Sequence, residues 1–156
     1  MAILKWSPVA LAAMLVWPCS VYAQSRMSSG MQDAKRVTCT FSILATGRWD
    51  VGGVPEADVK QSSLTMSYEA IDADEGTARL NTRYGDLPTI AKASIWSLHL
   101  LHVGSEGTVL LTTVFNRENR EGTFKAVHTV HEFTPVGLPN FASRPEQHYG
   151  ECAVER

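Results

Sequence analysis

The chain has 156 residues, 14 Lys and Arg against 16 Asp and Glu for a net charge of −2, and three cysteines. That length suits one domain, and the near-even charge excludes the basic field that nucleic acid or an anionic bilayer surface would need. No segment after the first twenty or so residues is apolar enough to span a membrane as a helix.

Residues 1–23 read as a cleaved export signal. Met1 to Lys5 is a short positive end, Trp6 to Trp17 an apolar run, and Val21-Tyr22-Ala23 a small-residue cleavage site. The run is too short for a spanning helix and is broken by Pro8 and Pro18; Pro18 also stands where a lipid anchor on Cys19 would want a small residue. Cleavage leaves 133 residues (156 minus 23), with 13 basic against 16 acidic groups because only Lys5 is lost. The expected location is periplasmic or secreted. Cys39 and Cys152 then remain as the one possible disulfide in an oxidising space, the alternative being two free thiols.

Gln24 to Lys35 is polar and without apolar period, so residues 24–36 are expected to be a loose tether ahead of a domain spanning 37–156. From Val37 the period is two. Val37, Cys39, Phe41 and Ile43 alternate with Thr38, Thr40 and Ser42; Leu64, Met66, Tyr68 and Ala70 with Ser63, Thr65, Ser67 and Glu69; Ala78, Leu80, Thr82 and Tyr84 with Thr77, Arg79, Asn81 and Arg83. Asp74-Glu75-Gly76 makes the last two runs a hairpin. Further strands are expected at Thr89 to Ala93, Ile95 to Val103, Thr108 to Asn116, Thr123 to Phe133 and Gln147 to Val154, with polar turns at Gly104 to Gly107 and Asn116 to Gly122.

Eight short strands with short links and no amphipathic helix predict an all-β antiparallel meander. A Cys39–Cys152 bridge would make the first and last strands neighbours, and a meander whose ends meet is an eight-stranded up-and-down barrel of calycin-like shape. A two-sheet β-sandwich is the alternative. In a barrel, the links at 50–61 and 134–146, the longest, share one mouth, where binding usually sits. Pro135, Pro139 and Pro145 stiffen the second, and Phe141 in its middle is a candidate contact.

Gly47-Arg48-Trp49 is similar to the Gly-x-Trp near the amino end of lipocalins and their barrel relatives, including avidin-like proteins. The resemblance implies a Trp that plugs one barrel end, and it transfers no functional residue, since the biotin-site pattern and the later lipocalin motifs have no counterpart.

All five histidines, His99, His102, His128, His131 and His148, fall in the second half. The pairs three apart point to opposite strand faces, so a local metal site is not expected; His128 and His148 share an inward face on adjacent strands, with His102 as a possible third. No metal or cofactor is expected. Asp72 to Gly76 lacks the remaining ligands of a calcium loop and reads as a turn, and no serine sits in a nucleophile elbow. The chain is therefore expected not to be an enzyme. The expected function is binding of a small, largely apolar ligand by inward Tyr68, Tyr84, Trp96, Phe124 and His128, with Phe141 at the mouth. The alternative is a protein-interaction module with a filled core, an inhibitor or envelope-assembly partner, using a loop or edge strand.

Overall fold

Period-two alternation becomes strand along nearly all of the chain that the computed structural model describes, residues 31–49, 54–134 and 142–156. A short 3-10 turn, Met31–Asp33, precedes eight strands: β1 Arg36–Trp49, β2 Pro55–Asp72, β3 Thr77–Thr82, β4 Gly85–Ala93, β5 Ser97–Val103, β6 Val109–Glu118, β7 Phe124–Thr134 and β8 Ala142–Glu155. Each pairs antiparallel with the next, and β8 returns to β1, so the sheet is a closed barrel. The sandwich alternative falls, because every strand among the described residues belongs to one sheet. The β2–β3 ladder is confined to Ser67–Asp72, so the part of β2 before Ser67 pairs with β1 alone and keeps one open side.

Cys39 and Cys152 face each other directly in the β1–β8 ladder, with Cα atoms 3.9 Å apart, and form a disulfide across 113 residues of chain. Both are fully buried beside Val37, Phe41, Tyr68, Leu80, Leu98, Leu100, Val114 and Phe124, which fill the barrel from the end where β1 begins. That end is closed by the chain ahead of β1. Met31 and Ala34 are fully buried, the Lys35 amide donates to the Glu155 carbonyl at 2.8 Å, and the Ile71 amide donates to the Lys35 carbonyl at 3.1 Å. The tether expected over 24–36 is corrected accordingly: from Met31 onward the segment is a plug, because an apolar Met and a small Ala cover a barrel end that would otherwise expose the core.

Turn chemistry sets the hairpins. Asp72 Oδ1 accepts from the amides of Asp74 and Glu75 at 3.1 and 2.9 Å, and Gly76 takes φ 75°. Between Phe41 and Ile43, β1 carries a bulge against both neighbours. Gly150 lies opposite Phe41 there. A Cβ on it would stand 2.0 Å from the Thr40 carbonyl oxygen and 2.6 Å from the Phe41 Cα, so the close approach of β8 to β1 requires glycine.

Past the bulge, Leu44, Thr46 and Arg48 become the inward row of β1. They pair with Lys60, Asp58 and Glu56 of β2, and the first two pair with His148 and Glu146 of β8. Here one expectation is corrected. The mouth links are shorter than 50–61 and 134–146, because β2 begins at Pro55 and β8 at Ala142. Gly47, Arg48 and Trp49 end β1 at the mouth, opposite the plugged end; the Trp49 side chain lies outside the described residues. No helix among the described residues is long and apolar enough to cross a membrane.

Candidate functional site

The barrel interior changes character along its axis. Above the apolar layer, Tyr68, Thr112 and His128 form a buried chain: Tyr68 Oη to Thr112 Oγ1 is 2.6 Å, and Thr112 Oγ1 to His128 Nδ1 is 2.8 Å. His128 and His148 are register partners on β7 and β8, with ring centroids 5.8 Å apart, and Phe41 packs against both rings at 5.8 and 6.3 Å. His148 Nδ1 lies 3.4 Å from Ser62 Oγ, and its Nε2 3.6 Å from Glu146 Oε2. Among the described residues no buried side-chain N or O lacks a hydrogen-bond partner. A fully satisfied polar layer in an apolar core specifies one packing.

Burial dominates the electrostatics here. It pushes the Tyr68 hydroxyl up to about 12, partly offset by the Thr112 hydrogen bond. Burial, aided by the neighbouring His148 charge, pushes His128 down to about 4. His128 is therefore a neutral imidazole at ordinary pH.

Past the histidines, where β2 extends beyond its pairing with β3, a half-open cavity of about 580 Å³ is lined by Thr46, Gly47 and Arg48 of β1, the exposed Glu56, Ala57, Asp58 and Lys60 of β2, and Glu146 of β8. Five of these eight side chains are ionisable. Arg48 Nε donates to Glu56 Oε2 at 2.9 Å, and Glu146 connects the cavity to the buried layer through His148. Residues 50–53 and 135–141, where the candidate contact Phe141 falls, lie outside the described residues.

The site residues expected from the sequence divide three ways. Tyr68 is 1 % exposed, and Phe124 and His128 are 2 % exposed; they share the interior, but as packed core. Tyr84 and Trp96 are not inward. Tyr84 is 85 % exposed because β3 stops at Thr82 and the tyrosine sits in the two-residue turn, where the Arg83 guanidinium stacks 4.6 Å above its ring. Trp96 is 70 % exposed because β5 starts one residue later; the Ser94 hydroxyl accepts from the Trp96 and Ser97 amides and fixes a turn that breaks the alternation. Phe141 lies outside the described residues.

His102 does not join the histidine pair, since its Nδ1 donates to the Pro88 carbonyl at 2.7 Å. Among the described residues no group of three or more His, Cys, Asp or Glu could hold a metal ion. Of the cavity residues, Glu56, Ala57, Asp58, Lys60 and Glu146 fall in stretches that the sequence reads as links, and Thr46, Gly47 and Arg48 are not marked as a site. Their signal is the alternation of Glu56, Asp58 and Lys60 with Ala57 and Val59, whose polarity is inverted relative to the rest of the barrel.

A second depression of about 580 Å³ lies on the outer face beside the bulge, lined by Ile43, its register partner Tyr149, Val127 and Phe115. Its charged rim is Lys125 and Glu151, which form an ion pair; that contact and hydrogen bonds from Thr123 and Asn119 hold the Glu151 carboxyl below its usual range. An interaction module would use such a face. No family model matches this chain, and none of the curated proteins or solved structures compared with it matches either.

Proposed function

We propose that this protein is an exported, non-catalytic barrel that binds a small polar molecule at the mouth formed by β1, β2 and β8. One observation carries the reading: a charge-lined cavity of about 580 Å³ opens above a filled apolar interior. That volume falls within the roughly 300–1,000 Å³ of small-molecule sites. The apolar ligand expected from the sequence fits less well. Tyr68 and Phe124 are spent on the core, Tyr84 and Trp96 face solvent, and the cavity wall offers carboxylates, a lysine and a hydroxyl instead. Export is supported by the signal-like residues 1–23 and by a buried disulfide, which forms and persists in oxidising compartments.

A direct experiment uses two probes. The apolar dye 1-anilinonaphthalene-8-sulfonate should stay dark with the folded protein, and the low-molecular-weight fraction of a periplasmic extract should shift the amide resonances of Thr46, Asp58, Lys60 and Glu146. A bright dye together with an undisturbed mouth would refute the reading. A second reading, a serine hydrolase, is favoured by the order Ser62, His148, Glu146, which is that of nucleophile, base and orienting acid. Covalent labelling of Ser62 by a fluorophosphonate would support it.

A further inference from the structure

We infer that the mouth cavity takes a zwitterion, a small molecule carrying both an ammonium and a carboxylate. This rests on the reading of the mouth as a ligand site and adds the chemical class. The charges are ordered by the sheet register. In the outermost row Arg48 is matched by Glu56 and paired with it at 2.9 Å, so that row is self-neutralised. In the next row Asp58 and Glu146 flank Thr46, one on each neighbouring strand. Adjacent strands are about 4.8 Å apart, so two carboxylates bracket one hydroxyl across roughly 10 Å. A primary ammonium, with three donors and no acceptor, matches that set.

One row deeper, Lys60 lies opposite Leu44 and beyond it His148. Two residues along a strand is about 7 Å, the span of a small molecule with charged groups at both ends. Neither Asp58 nor Lys60 takes part in an ion pair among the described residues, so both charges are open to a ligand. A polyanion is disfavoured by three carboxylates against two cations in the wall, and a bare metal ion by the lack of a third ligand beside the histidines. A carboxylate ligand would satisfy Lys60 but leave Asp58 and Glu146 facing each other. An amine would do the reverse. Only a ligand with both charges answers the whole wall.

The test is isothermal titration of the disulfide-bonded protein with three probes of five carbons each: pentylammonium, pentanoate and 5-aminopentanoate. The zwitterion should bind at least tenfold more tightly than either singly charged probe. Lys60→Met should reduce its affinity to that of pentylammonium, and Asp58→Asn with Glu146→Gln to that of pentanoate, with the circular dichroism of each variant unchanged. Pentanoate binding as tightly as the zwitterion, or affinity indifferent to these variants, would overturn the inference. Should all three probes fail while the periplasmic extract still shifts the mouth resonances, the zwitterion inference falls and the ligand site stands. If neither probes nor extract disturb the mouth, both fall.

Discussion

Removing the Cys39–Cys152 bridge is the perturbation whose size follows most directly from the structure. The bond closes a loop of 113 residues, and the chain-entropy relation for such a loop gives about 5 kcal/mol of destabilisation of the unfolded state at 25 °C. The native side should change little. Both cysteines are fully buried among apolar neighbours, where a thiol packs as a small hydrophobe, and the β1–β8 ladder that closes the barrel runs from Arg36 to Thr46 without needing the bridge. The double variant Cys39→Ala, Cys152→Ala should therefore keep its strand spectrum and lose about 5 kcal/mol in urea unfolding. For a domain of this size that is a fall in melting temperature on the order of 15–20 °C. Its urea m-value should rise, because the unfolded chain without a cross-link exposes more surface. A loss below about 1 kcal/mol with an unchanged m-value would refute the entropic reasoning.

Gly150→Ala should be among the most damaging single substitutions, costing about 3 kcal/mol or more, because the new methyl meets the backbone of Thr40 and Phe41 and can be accommodated only by parting β8 from β1; calorimetry should show a large drop, and a near-neutral result would mean the bulge is not the close approach described. His128 titrates near 4 when folded and near 6.5 when unfolded, so its contribution, on the order of 3 kcal/mol, is complete above pH about 6.5 and is lost as pH falls towards 4. His128→Gln, which keeps a partner for Thr112, should flatten the dependence of unfolding free energy on pH across that window, and an unchanged slope would assign the effect to other groups. The Tyr68 shift has the opposite window, with stability lost as pH rises above about 10, and Tyr68→Phe should remove that alkaline loss.

Much of the barrel was legible from alternation and from two cysteines. Val37, Cys39 and Phe41 face inward as their period requires, Leu98, Leu100, Phe124 and Ala126 do the same, and placing Cys39 and Cys152 on the first and last strands identified the pair that closes the ring. The histidine pair followed from the same parity. Parity failed where strands ended: Tyr84 and Trp96 continue an inward count by sequence, but the Thr82 hydroxyl accepting from the Tyr84 amide and the Ser94 hydroxyl accepting from the Trp96 amide turn the chain just there. It failed again at the mouth. Val59 is 68 % exposed on the outer face while Asp58 and Lys60 line the cavity, so the rule that apolar residues point inward assigned this stretch to loop. On the proposed reading of the mouth as a ligand site, this is the end where that rule is expected to break.

The claim that the charged mouth holds a small polar molecule is tested most directly by native mass spectrometry of the protein purified from its own host, side by side with Thr46→Trp, whose indole would fill the cavity between Asp58 and Glu146. The natural sequence should carry a small adduct that denaturation releases, and the variant, equally folded and disulfide-bonded, should carry none. Retention of the same adduct by both proteins, or its absence from the natural sequence together with silent mouth resonances, would contradict the assignment of the site.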